Sequence, residues 1–198
     1  VTKTVACLIP LTWDIVPRQF FFSMMEMMAY ARDKYEMLII SARAAILSKM
    51  HEMMVESILK QDVDYILHLD ADEVYPKDTP ERLIKHIDNG KDVVFGLVMS
   101  NSMDNHPLVY DFSGDRIIPK EVTPNSGLIE AGCVGMGGLM VKPDVYRRLQ
   151  PPYFIGLPGF QGPDVNLCHK CREAGIKIWV DTGLHYGHIT SVIKYPQG

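Results

Sequence analysis

The hydrophobic period of this chain switches repeatedly within its first hundred residues, and that alternation most constrains the fold. "TVACLIP" (4–10), "YEMLIIS" (35–41), "DYILHLD" (64–70) and "DVVFGLVMS" (92–100) are short apolar runs that read as strands. Between them the period becomes helical. Pro17 to Arg32 gathers Phe20, Phe21, Met24, Met27, Met28 and Ala31 near one face. Ala44 to Leu59 repeats Ile46, Leu47, Met50, Met53, Met54 and Ile58 at steps of three and four. A third helix, capped by Thr79 with Pro80 at its first position, buries Leu83, Ile84 and Ile87 and stops at Gly90. Four strands alternating with three helices predict a parallel α/β sheet with right-handed crossovers.

The second half follows another rule. Residues 101–128, rich in Asn, Ser, Asp, Pro and Gly, suggest loops and short hairpins. "LIEAGCVGMGGLMVKP" (128–143) holds one or two glycine-rich strands, with a short helix near Asp144 to Leu149. "PPYFIGLPGFQGP" (151–163) reads as a loop, Asp164 to Ala174 as a helix closed by Gly175, and "IKIWVDT" (176–182) as a last strand. No repeat marks a second domain. The expectation is one domain over 1–198, with halves at 1–100 and 101–198.

Composition narrows the function. A net charge of -4 argues against a nonspecific nucleic-acid binder, which needs a basic face for phosphates. The apolar runs fall short of the roughly 20 residues of a membrane span, and "VTKTVACLIPLTW" lacks a signal-peptide core. A cytoplasmic protein is expected, although residue 1 is Val and leaves room for a preceding segment. The methionines of "FFFSMMEMMAY" read as core filling, since that helix lacks a basic membrane-binding face. Cys7, Cys133, Cys168 and Cys171 show no disulfide-framework spacing and are expected to be reduced.

One stretch carries chemistry. In "YILHLDADEVYP" (65–76) an apolar strand stops on Asp70, Asp72 and Glu73. Open α/β sheets bind ligands beyond the carboxyl ends of their strands. Alternate residues of extended chain face the same way, so Asp70 and Asp72 can converge. Two close carboxylates favour a cation between them, and Mg²⁺ or Mn²⁺ takes oxygen ligands and bridges to phosphates.

A third strand ending in Asp-Ala-Asp resembles the D-x-D motif of nucleotide-sugar glycosyltransferases with the GT-A fold. Further segments follow in matching order. "GCVGMGGLMVKPDVYRRL" (132–149) is similar to the segment that forms the sugar and acceptor pocket. "GPDVNLCHKCREAG" (162–175) looks like the x-E-D segment, whose acidic residue is the base of inverting members. "VDTGLHYGHI" (180–189) resembles the late strand and loop that supply a metal-binding histidine. "SARAAILSKM" (41–50) resembles an Ala-Arg-Asn segment of small, phage- and GT2-like members. Two departures stand out: Pro163 replaces the Glu before Asp164, and Ala44 replaces the Asn after Arg43.

The resemblance implies a Rossmann-like three-layer α/β sandwich with a mostly parallel central sheet and a smaller acceptor-side β region. It implies transfer of a sugar from a nucleoside-diphosphate sugar, UDP- or GDP-linked, to a hydroxyl acceptor with inversion. Mn²⁺ or Mg²⁺ would be held by Asp70, Asp72 and His188, with His185 as the alternative to His188. Pro10, Leu11, Thr12, Arg43, Asp70, Ala71, Asp72, Gly137 and Gly138 would bind the nucleotide sugar. Arg43, opening the second helix, would reach the diphosphate. Asp164 would be the catalytic base, and Glu73 would be either solvated or a helper.

Three other readings stay open. "ILHLDADEV" also fits the signature of haloacid-dehalogenase-like phosphohydrolases, with Asp70 as nucleophile and Asp72 as acid, although that signature normally occupies a first strand. Cys168-x2-Cys171 and His185-x2-His188 approach the spacing of a zinc site, against a short histidine gap and a helix whose core would explain the cysteines. A noncatalytic nucleotide-sugar-binding module would keep the D-x-D end without the base.

Overall fold

The computed structural model describes residues 2–12, 15–101, 106–114, 116–155 and 162–190, and the backbone of 193–194. The first half alternates as its periodicity predicts. It runs β1 (Lys3–Pro10), α1 (Arg18–Ala31), β2 (Tyr35–Ala42), α2 (Leu47–Ile58), β3 (Tyr65–His68), β4 (Glu73–Val74), α3 (Thr79–Asp88) and β5 (Val93–Leu97). A hairpin, β6 (Val109–Ser113) and β7 (Arg116–Pro119), follows in the region expected to hold hairpins. Then come β8 (Leu128–Ala131), β9 (Cys133–Val134), β10 (Leu139–Val141), α4 (Pro143–Leu149), α5 (Pro163–Glu173), β11 (Ile178–His185), β12 (Gly187–Ile189) and β13 (Ile193–Lys194). The loop expected at 151–163 lies partly outside the described residues.

The main sheet has seven strands in the order β2-β1-β3-β10-β5-β11-β8. β10 pairs antiparallel with both β3 and β5, and β8 antiparallel with β11; the other pairs are parallel. The sheet is therefore mostly parallel, but β5 does not adjoin β3 as a simple alternation suggests. A glycine turn sends β10 back between them. The steps from β1 to β2 and from β2 to β3 run in opposite directions along the sheet, so right-handed crossovers put α1 and α2 on opposite faces. α1 packs against α3, and α2 against α5. Helix, sheet and helix form three layers around one apolar core that includes Leu8, Met27, Met54, Leu67, Phe95 and Met140. The central strands are buried along almost their whole length, which is why they read as unbroken apolar runs.

Three local expectations are corrected. α2 starts at Leu47, because Ile46 is still extended at φ -125°, so Arg43 lies on the preceding loop and does not open the helix. Asp78, not Thr79, occupies the cap position of α3, and the Thr79 hydroxyl is buried without a partner. The glycine-rich segment forms three short strands, β8 to β10, because each strand changes sheet or neighbour.

Candidate active site

The D-x-D segment begins where β3 runs out. Leu69 still bonds back to Leu8, and the Glu73 amide then closes a turn onto the Asp70 carbonyl at 3.2 Å. The Tyr75 hydroxyl pins that turn, accepting from the Asp70 amide at 2.8 Å and donating to its carbonyl at 3.2 Å. Tyr75 is fully enclosed in the core, so the turn is anchored from below.

Register brings the remaining parts to this turn. His68 pairs with Leu139, which sets Gly137 and Gly138 beside Asp70. The Gly138 amide bonds the His68 carbonyl at 2.8 Å, and the Asp70 carboxyl accepts from the Gly137 amide. Gly138 has φ +78°, and a side chain there would collide with the Tyr186 ring. A side chain at Gly137 would meet the Glu73 carboxyl. The space beside both expected sugar-contacting glycines is thus taken by the protein's own Glu73 and Tyr186.

The late histidine arrives through β4 and β12. Their antiparallel pairing sets His188 opposite Glu73, and the Ile189 amide bonds the Asp72 carbonyl at 2.7 Å. His188 donates from Nδ1 to the Met99 carbonyl at 2.9 Å, which leaves Nε2 3.6 Å from Asp72 Oδ2. A carbonyl can only accept, so this bond fixes the tautomer and directs Nε2 at the carboxylate. His185, the alternative, instead bonds its Nε2 to the Thr182 carbonyl at 2.8 Å.

Charge is crowded here. Burial, with Asp72 and Asp164 nearby, pushes the Asp70 carboxyl up to about 7. Hydrogen bonding to Asp72 raises the His188 imidazole above its usual value. Glu73 is buried, not solvated as expected: burial and then the Asp70 charge push its carboxyl well above the usual range, and its Oε2 has no hydrogen-bond partner. Sequence gives no sign of this, because the two-residue β4 that turns Glu73 inward is too short to show a period.

Asp164 stands in the first turn of α5, after Gly162 at φ +97°, where any side chain would strike its carboxylate. Burial pushes the Asp164 carboxyl above the ordinary carboxylate range, and the Val165 amide and its own amide only partly oppose this. Burial therefore outweighs the helix terminus, which alone would make it a poorer base.

Three clefts meet at this end of the sheet. One of about 540 Å³ is lined by Thr12, Arg43, Ala44 and Leu47, and one of about 130 Å³ by Pro10, Thr12, Leu47 and Asp70 to Asp72. The third, about 210 Å³, contains His51, Asp70, Asp72, Glu73, Asp164 and His188. Among the described residues no group of three or more His, Cys, Asp or Glu side chains is placed to hold a metal ion by itself. The zinc candidates do not gather: Cys168 and Cys171 are buried in α5, where Cys168 points at the Val134 carbonyl. No described helix is long and apolar enough to cross a membrane.

Comparison with known proteins gives this arrangement a context. Residues 56–145 match the model of glycosyl transferase family 2, a span that includes Asp70, Asp72, Gly137 and Gly138. The fold is similar to that of A197 from STIV, with a TM-score of 0.69 at 18% identity over 96% of this chain and 86% of that one. It is also similar to S. aureus TarS 1-349, with a TM-score of 0.57 at 12% identity over 96% of this chain and 61% of that one. No curated protein matches the sequence.

Proposed function

We propose that this chain, which has a GT2-like GT-A glycosyltransferase fold, transfers a sugar from a nucleoside-diphosphate sugar to a hydroxyl with the help of a divalent cation. The observation that carries the reading is the meeting of Asp72 and His188 beside Asp70. Two carboxylates and an imidazole whose tautomer is fixed by a backbone carbonyl converge from distant parts of the chain. Oxygen donors with one imidazole suit Mn²⁺ or Mg²⁺, and the raised Asp70 carboxyl marks a place where added positive charge is favourable. When bound, such a cation would supply positive charge against the departing diphosphate.

The protein's own groups do the rest. Thr12 and Pro10 border the nucleoside, with Leu11 between them in sequence, and Arg43 lines the adjoining cleft with Thr12, near the phosphates. Ala71 carries the chain between the two aspartates with only a methyl group, leaving room for the ligand. Asp164 takes the proton of the acceptor hydroxyl as its oxygen attacks the anomeric carbon. The bond from that carbon to the diphosphate oxygen breaks, and its electron pair leaves with the diphosphate. Single displacement inverts the anomeric centre. The raised Asp164 makes it a stronger base than a solvated aspartate.

Calorimetric titration with UDP, GDP, CDP and dTDP, each with and without Mn²⁺, tests the reading. One nucleotide should bind in a Mn²⁺-dependent way, and Asp72→Ala should abolish that binding. Absence of nucleotide binding under every condition would overturn it.

A further inference from the structure

His51 faces the same cleft, and the reaction above makes no use of it. It lies in the first half of α2 and is 0% exposed, yet neither ring nitrogen has a hydrogen-bond partner. A buried imidazole with both nitrogens unpaired is costly, and native proteins rarely keep one without a reason. Its neighbours do not relieve the cost. The His68 and Phe154 rings pack beside it, with centroids at 5.5 and 5.3 Å. His68 spends its own Nε2 on the Tyr146 hydroxyl at 2.6 Å. Glu52, next in sequence, turns away and accepts the amides of Tyr153 and Phe154 at 2.9 and 3.1 Å. Among the described residues, the polar groups that line a cleft with His51 include Asp70, Asp72, Asp164 and His188.

Burial lowers the His51 imidazole to about 4, so it is neutral near pH 7. A neutral imidazole presents one N–H donor and one lone pair. Phosphate oxygens only accept, and would satisfy half of that. A hydroxyl both donates and accepts, and satisfies it. Position selects among hydroxyls. Leu47, one helical turn earlier on the same face, lines all three clefts, including those assigned to the nucleotide. His51 sits one turn further on, in the cleft that holds Asp164. On the nucleotide-sugar reading, that is where the sugar would follow the diphosphate.

We propose that His51 binds a hydroxyl of the transferred sugar and so selects the donor by its sugar rather than by its base. This assignment rests on the nucleotide-sugar reading above. The test is calorimetry with Mn²⁺ on wild type, His51→Phe and His51→Gln. UDP and GDP are compared with UDP-glucose, UDP-galactose, UDP-N-acetylglucosamine and GDP-mannose. In His51→Phe the bare nucleotide should bind as in wild type, while the preferred sugar nucleotide weakens by about 10- to 100-fold. His51→Gln, which keeps a donor and an acceptor, should recover part of the loss. Thermal unfolding of His51→Phe should be unchanged or higher, since the new ring packs on Phe154 with no stranded nitrogen.

Equal affinity of wild type and His51→Phe for the sugar nucleotide would overturn the assignment. So would an equal loss for nucleotide and sugar nucleotide, or a loss confined to the acceptor KM, and in each case the nucleotide reading would stand. If wild type bound no nucleotide and no sugar nucleotide, the nucleotide reading itself would fall, and this assignment with it.

Discussion

Two concave regions of this molecule differ in a way that volume does not capture. The larger, about 670 Å³, lies away from the D-x-D turn, between the β6–β7 hairpin, β8 and the end of α5. Its charges are satisfied by its own members or by adjacent backbone. Lys120 pairs with Asp111 and Lys177 with Glu130, both at 2.7 Å, and Arg172 donates to the Gly114 carbonyl at 2.8 Å. The smaller, about 210 Å³, is the reverse. It brings Asp70, Asp72 and Asp164 together, buries Glu73 with an unpaired oxygen and leaves both His51 nitrogens without partners. A region whose polar groups already satisfy one another gains little from a ligand. A region that carries unmet electrostatic demand gains much. The smaller cleft is where this fold keeps its demand.

The sharpest test of that contrast is a carboxylate removed from each region. Asp72→Ala should abolish Mn²⁺-dependent nucleotide binding and lower transfer by about 10³-fold, as loss of charge stabilisation at a departing group does. Asp111→Ala should leave both unchanged. Equal effects from the two substitutions, measured by calorimetry and by sugar-nucleotide turnover, would erase the distinction.

Asp164→Asn should separate binding from chemistry. Turnover should fall by about 10²- to 10⁴-fold with nucleotide affinity kept. Because burial raises the Asp164 carboxyl in the folded protein, the acid limb of the wild-type rate profile should lie above the range of an ordinary aspartate. The stability sign follows from the same shift. A carboxyl raised on folding contributes its stability below its unfolded pKa and loses it as pH rises through the folded value. Asp164→Asn should therefore be neutral or stabilising at pH 7, and any advantage should vanish in acid. Chemical denaturation at the two pH values checks it.

The difference between the regions was only half legible in sequence. The D-x-D turn is announced by a buried strand that ends on acids, and the strands and helices of the first half follow from period alone. Asp72 and His188 could be named because each follows an apolar run that reads as a strand. Their proximity could not be derived, since it depends on β4 and β12, of two and three residues, which are too short to carry a pattern. The fate of Glu73 was hidden for the same reason. His51 was hidden differently: it sits in an apolar helical stripe, where sequence cannot tell a core histidine from one facing a cleft. The antiparallel return of β10 was missed because three apolar residues after two glycines fit either direction.

Backbone supports the contrast as well. The turn that holds Asp70 depends on Gly138 in a left-handed conformation, with the Tyr186 hydroxyl donating to its carbonyl at 3.1 Å. Gly138→Ala would strain φ and press the methyl into a ring that is fully buried. A loss of about 2–4 kcal/mol is expected, read by urea unfolding, and nucleotide affinity should fall with it.

The distal region should show the smallest effect of all. Lys177 and Glu130 pair at 2.7 Å, but their side chains remain 63% and 48% exposed. Exposed pairs gain little, because water screens the attraction and two long side chains lose freedom in making it. Lys177→Ala should cost about 0–1 kcal/mol in urea unfolding, and added salt should shrink even that. Nucleotide binding should be unaffected, because the lysine already has its partner and offers no unmet charge to a ligand. A large loss of nucleotide affinity in Lys177→Ala would mean that the paired groove binds after all, and that satisfied charges are no guide to where this fold works.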